Sequence, residues 1–218
     1  MAVFALSSVG AMLADSLEWI ASKLEVEIEA GKGKSEAVAA VLQELMKLHG
    51  NSIFGGDGYS SEWHEAAVAE RGLRNLPTSA DALPVFAEQD VIDLFESTGV
   101  LSPVELNSRY EVYAEQYINS IAVEAKLVIE LAKTVIYPAA MTYVADLSST
   151  YLGASSLGVE FDTSAVAAIA DNANKLLATV SELAVELPRH DFDGIEAHMQ
   201  HCATTIRSLM DQARVYAD

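Results

Sequence analysis

The chain has 218 residues, 51% of them hydrophobic, which is enough for one sizeable domain or two small ones. Its 32 Asp and Glu residues outnumber its 13 Lys and Arg residues, so the formal charge of -19 excludes nucleic acid and anionic membranes as partners. The single Cys202 cannot form an internal disulfide, and the apolar start lacks the basic segment of a signal peptide, so we expect a cytoplasmic protein.

Apolar residues recur at intervals of three and four along most of the chain, a spacing that predicts helix nearly throughout. The first predicted helix starts at Val9 and is stopped by GKGK at residues 31–34. Its apolar stripe consists of Leu13, Leu17, Ile20, Leu24 and Ile28. Ser35 is the expected N-cap of a second helix, which ends near Gly50.

A glycine-rich loop at residues 54–59 follows the second helix. Three glycines within four positions, leading into a helix capped by Ser60 or Ser61, resemble the arrangement by which backbone amides hold a phosphate. No Walker lysine follows them, and Asp57 places a carboxylate inside the loop. We therefore favour a tight turn, in which the glycines supply positive φ angles, over a contact to substrate or to another domain.

The longest predicted helix begins with a strong start signal. Ser102 is its N-cap, Pro103 occupies the first helical position and Glu105 completes a capping box. We expect this helix to reach about residue 150, with Pro138 bending it near residue 136 because proline removes a backbone donor. Short helices are expected before it, at about 60–72 and 88–97, with the stretch NLPTSADALP at 75–84 as a loop.

Two further long helices complete the chain after a linker at residues 157–161. Asp162 or Thr163 opens the first of them, which is stopped by Pro188, and Asp193 opens the last. The inward stripe of the first comprises Val166, Ile169, Ala173, Leu176, Leu177, Val180, Leu183 and Leu187. The inward stripe of the last comprises Ile195, Met199, Cys202, Ile206, Leu209 and Met210.

These elements predict an all-α helical bundle of three long C-terminal helices with shorter N-terminal helices packed on them. We expect a short-helix segment at 1–100 and a long-helix bundle at 101–218, together forming one compact domain. The last helix reaches Asp218 without a stop signal, and the first begins in apolar residues with no obvious cover. The chain therefore has the features of a piece of a larger protein.

Two clusters of side chains could carry chemistry, and each also has a structural interpretation. His198, His201 and Cys202, with Asp193 or His190 nearby, lie on about one helical face and could bind zinc. Because Cys202 lies on the apolar stripe, we favour a packed thiol beside surface histidines. The other cluster is Tyr110, Tyr113 and Tyr117, which could stack a base but are expected in a core or an interface. We expect no catalytic, cofactor-binding or metal-binding residue in this chain.

Four stretches of the sequence resemble the C-terminal region of type III glutamine synthetases, in order and in spacing. They are GDGYSSEW at 56–63, ERGLRNLPTSADALP at 70–84, LFESTGVLSPVELNSRYEVY at 94–113 and IYPAAMTYVADL at 136–147. The resemblance implies membership of a family whose enzymes join glutamate and ammonia, using ATP and divalent metal ions. It also implies that the metal carboxylates and the ATP and glutamate contacts lie in a catalytic barrel upstream of this region.

The resemblance therefore predicts a non-catalytic helical region that packs on the catalytic barrel of a parent enzyme and contributes subunit contacts in a homo-oligomer. The alternative is an independent acidic helical module that binds a partner protein through an exposed groove. In the parent, the apolar residues of the first helix would pack on the barrel. In this chain they could pair with a second copy or fold back onto their own bundle, and we favour the pair. Those residues are Phe4, Leu6, Val9, Met12 and Leu13.

Overall fold

The computed structural model describes residues 2–50, 53 and 55–218, with the backbone alone for residues 2–5. Phe54 of the predicted glycine loop and the side chain of Phe4 lie outside the described residues. Regular structure in the described part is helical throughout, without a strand, which confirms the predicted all-α fold.

The helices, in chain order, are α1 (Ala2–Glu29), α2 (Lys34–His49), α3 (Ser61–Arg71), α4 (Ser79–Ala82), α5 (Gln89–Ser97), α6 (Pro103–Leu131), α7 (Tyr137–Ser156), α8 (Ser164–Glu186), α9 (Gly194–His201) and α10 (Arg207–Ala217). A 3₁₀ segment, Leu83–Ala87, follows α4. Two π-helical segments, Ala132–Ile136 and Cys202–Ile206, join α6 to α7 and α9 to α10.

The chain divides into two compact units, Met1–Tyr110 and Glu111–Asp218. In the first unit α1 begins at Ala2, ahead of the predicted start at Val9, and Lys23 Nζ lies 2.8 Å from Glu44 Oε1 of α2. The division falls after residue 110. The domain organisation expected from the sequence stays a prediction.

Two predictions about the first unit are wrong in detail. The N-cap of α2 is Gly33 and not Ser35, because Glu36 Oε2 in the first turn accepts a hydrogen bond from the Gly33 amide at 3.3 Å. The stretch predicted as a loop contains α4, because Thr78 Oγ1 accepts a hydrogen bond from the Asp81 amide at 3.2 Å and forms a capping box. Four helical residues are too few to show a periodic apolar stripe.

The start of α6 matches the sequence prediction. Ser102 Oγ accepts a hydrogen bond from the Glu105 amide at 3.4 Å, and Glu105 Oε2 accepts one from the Ser102 amide at 2.9 Å. Leu101 and Leu106 flank this capping box and are both buried, as in a hydrophobic staple. The cap thus fixes where the longest helix begins.

Pro138 perturbs the long helix where the sequence predicts an irregularity. The backbone is π-helical over Ala132–Ile136, and the Tyr137 amide bonds to the carbonyl of Ala132, five residues earlier. A residue without an N–H cannot continue the usual pattern, and π segments shift the hydrogen-bond register by one residue. Helix then resumes to Ser156, slightly beyond the expected end.

The core of the second unit lies where α6, α8 and the helix α9–α10 meet. One cluster of contacting buried residues comprises Ile121, Ala125, Leu183, Cys202, Ile206 and Leu209. A second comprises Ala132, Leu176, Val180 and Ala213. The inward stripes predicted for the last two long helices are therefore confirmed at their centres.

Candidate functional site

The side of α6 and the following π segment that points away from the core carries a row of exposed apolar side chains, here called the outward face. Its members are Val112, Val123, Leu127, Leu131 and Val135, each 44–65% exposed. They are spaced by eleven and then by four residues, which keeps them on one side of a helix with about 3.6 residues per turn. The sequence analysis did not single out this face.

The opposite side of the same helix is buried in the second unit through Ile121, Ala125 and Ala132. The helix is thus apolar on two sides, and the described residues of the second unit cover only one of them. Helices that are hydrophobic on all sides are covered on all sides in folded proteins. Between Val112 and Val123 the surface is shallow and polar, because Gln116, Ser120 and Glu124 line it with them.

The same helix has the length and composition of a membrane span. Among the described residues, Pro103–Ser156 is the one helix long and apolar enough to cross a membrane by length and composition, and little of its most apolar stretch is buried. One such helix is weak evidence for a membrane segment, since a helix that protein covers on both sides passes the same test. The apolar composition and low burial of this helix agree with a helix that the described residues cover on one side only.

The glycine loop forms a turn and a helix cap. Asp57 Oδ1 accepts a hydrogen bond from the Tyr59 amide at 2.9 Å, and Ser60 Oγ accepts one from the Trp63 amide at 3.2 Å. Contrary to prediction, Gly58 has no left-handed φ angle, because the Asp57 side chain closes the turn. The Tyr59 amide is thus bonded to a carboxylate of its own loop, and the absence of a nucleotide site here stays a prediction.

The predicted histidine cluster exists, but a phenylalanine ring stands within it. The Phe192 ring stacks on His198 at 4.6 Å between centroids and lies 4.8 Å from the His201 ring. His190 meets His198 edge-on at 5.8 Å. His201 Nε2 also lies 3.4 Å from the Glu186 carbonyl oxygen at the end of α8. The rings therefore pack the α8–α9 turn, a role that the sequence analysis missed for Phe192.

The pKa shifts around this turn favour uncharged, packed side chains at His198 and Cys202. Burial, and then the nearby His190 and His201, lower the pKa of His198, which favours its neutral, stacking form. Burial raises the pKa of the Cys202 thiol, which disfavours the reactive thiolate. Arg189 bonds to Asp191 and holds the pKa of that carboxyl below its usual range. In the part of the chain that the structure describes, no group of three or more His, Cys, Asp or Glu side chains could hold a metal ion.

We predict that zinc does not stabilise this chain. A metal raises the melting temperature only when the folded state offers a better site than the unfolded state, and here Cys202 is buried and the imidazoles stack on Phe192. Differential scanning fluorimetry with equimolar Zn²⁺ should give an unchanged melting temperature. An increase that His198→Ala removes would contradict this prediction.

The predicted tyrosine cluster does not form an exposed stacking platform. Tyr110 is buried in the first unit. Tyr117 packs in the second unit against the cluster that contains Leu183. At least two of the three rings therefore belong to cores.

Sequence comparisons decide the family. A family model described as the glutamine synthetase C-terminal domain matches residues 37–154, more than half of the chain. The chain belongs to this glutamine synthetase C-terminal domain family. The matched region contains the glycine loop, all of α6 and nearly all of α7, so the outward face lies inside it.

Curated relatives give the same result. The chain is 33% identical over 139 residues to the type-3 glutamine synthetase of Dictyostelium discoideum, covering 64% of this chain and 19% of that protein. It is 35% identical over 128 residues to the glutamine synthetase of Butyrivibrio fibrisolvens, covering 59% and 18%, and 30% identical over 139 residues to that of Bacteroides fragilis strain YCH46, covering 64% and 19%. The resemblance to type III glutamine synthetases is confirmed, and the match spans about a fifth of these relatives.

Proposed function

We propose that this chain is the non-catalytic C-terminal helical region of a type-3 glutamine synthetase, where it supplies packing and subunit contacts in a cytoplasmic homo-oligomer. Its partners are the catalytic barrel and neighbouring subunits, and the barrel carries out the ATP-dependent ligation of ammonia to glutamate. The outward face of α6 is the observation that carries the proposal.

The outward face favours a role in protein–protein contacts, because exposing its apolar side chains to water is unfavourable. Five large apolar side chains lie along about 24 residues of helix, roughly 35 Å at 1.5 Å per residue. Covering each of them contributes up to about 1.5–3 kcal/mol. Large exposed apolar patches mark interaction sites in soluble proteins. Family membership favours the remainder of a glutamine synthetase as the covering surface over an unrelated partner of an independent module.

We assign the cofactors of the reaction to the rest of the parent enzyme, on the chemistry that the reaction needs. Phosphoryl transfer to glutamate needs carboxylates that hold divalent metal ions around the phosphates, together with cations that neutralise the transferred group. No metal-binding cluster occurs in the described part of the chain, and Asp57 occupies the glycine loop. We therefore assign ATP and metal to the catalytic barrel and no cofactor to this chain.

We predict that the isolated chain has no ligase activity. The test is release of phosphate from ATP that depends on glutamate, ammonia and Mg²⁺, with the Bacteroides fragilis enzyme as the positive control. The chain alone should give the rate of a protein-free blank, because the described residues include no metal-binding cluster that could stabilise the transition-state charge. Substrate-dependent release above the blank, abolished by a chelator, would refute the non-catalytic assignment.

A further inference from the structure

Residues 186–201, here called the histidine turn, contain three of the five histidines of the chain. The segment comprises the end of α8, the connection that follows it and the whole of α9. It lies outside residues 37–154, which match the family model. The family match therefore assigns no role to this turn.

The ring of Phe192 is the centre of the packing in the histidine turn. It stacks on His198 at 4.6 Å between centroids and 19° between planes, and it lies 4.8 Å from the His201 ring. The guanidinium of Arg189 lies 5.7 Å from the same ring, and His190 meets the edge of His198. One permanent cation and three groups that can become cations are therefore gathered at one aromatic ring.

The two carboxylates closest to this cluster are paired with Arg189. Its Nη1 lies 3.1 Å from Glu186 Oε2, and its Nε lies 3.3 Å from Asp191 Oδ1. His201 faces both carboxylates as well, because its Nε2 lies 3.6 Å from Glu186 Oε2, and Arg189 and, to a smaller degree, His201 lower the pKa of Asp191. A proton on His201 would therefore have negative charge beside it.

The charges that act on His198 are those of other imidazoles. Burial, and then the nearby His190 and His201, lower the pKa of this half-buried residue. The ring of Phe192 attracts a cation, but an imidazolium at His198 would be partly removed from water and close to two groups that can carry the same charge. A lowered folded-state pKa contributes stability above the unfolded pKa, about 6.5 for an imidazole, and this contribution is lost as pH falls through the folded pKa.

We propose that the histidine turn is an acid-sensitive latch, in which protonation of His198 releases its stack on Phe192 and opens the connection between α8 and α9. The overall charge of the chain acts in the opposite direction, because protonation reduces the net charge of -19 and with it the repulsion within the folded state. Opening in acid is therefore specific to the histidines. It would uncover Cys202, which directly follows His201 and is 4% exposed in the closed turn.

Labelling of Cys202, the single thiol of the chain, tests the latch. The reagent is 4,4′-dithiodipyridine, which reacts with thiols in mildly acidic and in neutral solution, and each rate is divided by that of the urea-unfolded chain at the same pH. From pH 7.5 to pH 5.5 the normalised rate should rise several-fold, by up to about tenfold for each unit by which folding lowers the pKa of His198. Helical circular dichroism should stay unchanged. A normalised rate that stays flat or falls, or a rise accompanied by loss of helix, would overturn the proposal.

Substitution of His198 tests which group controls the latch. His198→Phe keeps a ring that can stack on Phe192 but takes up no proton, and His198→Gln removes the titrating group without adding volume. Both variants should lose most of the rise in labelling between pH 7.5 and pH 5.5. The matched control is His64→Phe, at an exposed position of α3 in the other unit, which should retain the wild-type rise. A rise that both His198 variants retain in full would overturn the assignment of the latch to His198.

Discussion

Leu183→Ala is expected to destabilise the second unit by about 2–5 kcal/mol, the range for removing a fully buried leucine side chain. Leu183 is inaccessible to solvent and belongs to the cluster shared by α6, α8 and the helix α9–α10. Truncation leaves a cavity at the point where all three helices meet, and close-packed cores relax only partly around such a cavity. Urea unfolding followed by circular dichroism measures the free energy of unfolding.

Val185→Ala is the matched control for this substitution. Val185 is two residues away on α8 and is 68% exposed, so its truncation should change the free energy of unfolding by less than about 0.5 kcal/mol. The difference between the two variants separates loss of packing from any change in helix propensity. Equal effects of the two substitutions would contradict the proposed core.

Ser102→Ala is expected to destabilise the start of α6 by about 0.5–2 kcal/mol at pH 7, the usual effect of losing an N-cap. Its hydroxyl accepts a hydrogen bond from the first turn, where the free amide groups of the helix lie. Ser108→Ala, at an exposed position in the same helix, is the control and should have little effect. Urea unfolding of both variants provides the measurement.

The stability that this cap contributes should decrease as pH falls. Hydrogen bonds from the Ser102 amide and hydroxyl lower the pKa of Glu105. A lowered pKa in the folded state contributes stability above the unfolded pKa of glutamate, and this contribution is lost as pH falls through the folded pKa. The stability difference between wild type and Glu105→Gln should therefore shrink between pH 6 and pH 3. A difference that stays constant over this range would show that the carboxylate is not part of the cap.

Local sequence signals predicted several elements of the long helices, whereas the cap of α2 and the short helix α4 were missed. The capping box at Ser102, the irregularity next to Pro138 and the inward stripe of α8 are all found in the structure. The π segment Cys202–Ile206 was not predicted because no proline or glycine marks it. The turn at Gly58 was predicted from glycine content, but the Asp57 side chain determines its conformation.

The candidate site was harder to predict than the fold. A helix with two apolar sides gives a weak periodic signal, so the outward face could not be separated from the buried face around Ile121 before the burial of each was known. Phe192 lies in a turn without periodicity, and its stacking on His198 depends on how α8 and α9 meet. Both features arise from tertiary packing, which sequence spacing alone does not specify.

The outward face is tested most directly in a chimera, in which this chain replaces the matching C-terminal region of the Bacteroides fragilis glutamine synthetase. Glutamine formation and assembly by size-exclusion chromatography are measured for the chimera, for Leu127→Glu combined with Leu131→Glu, and for the control Val185→Glu combined with Val215→Glu. The account predicts an assembled, active chimera and an active control, whereas the outward-face variant loses assembly and activity together. An outward-face variant that assembles and forms glutamine as well as the control would contradict the account.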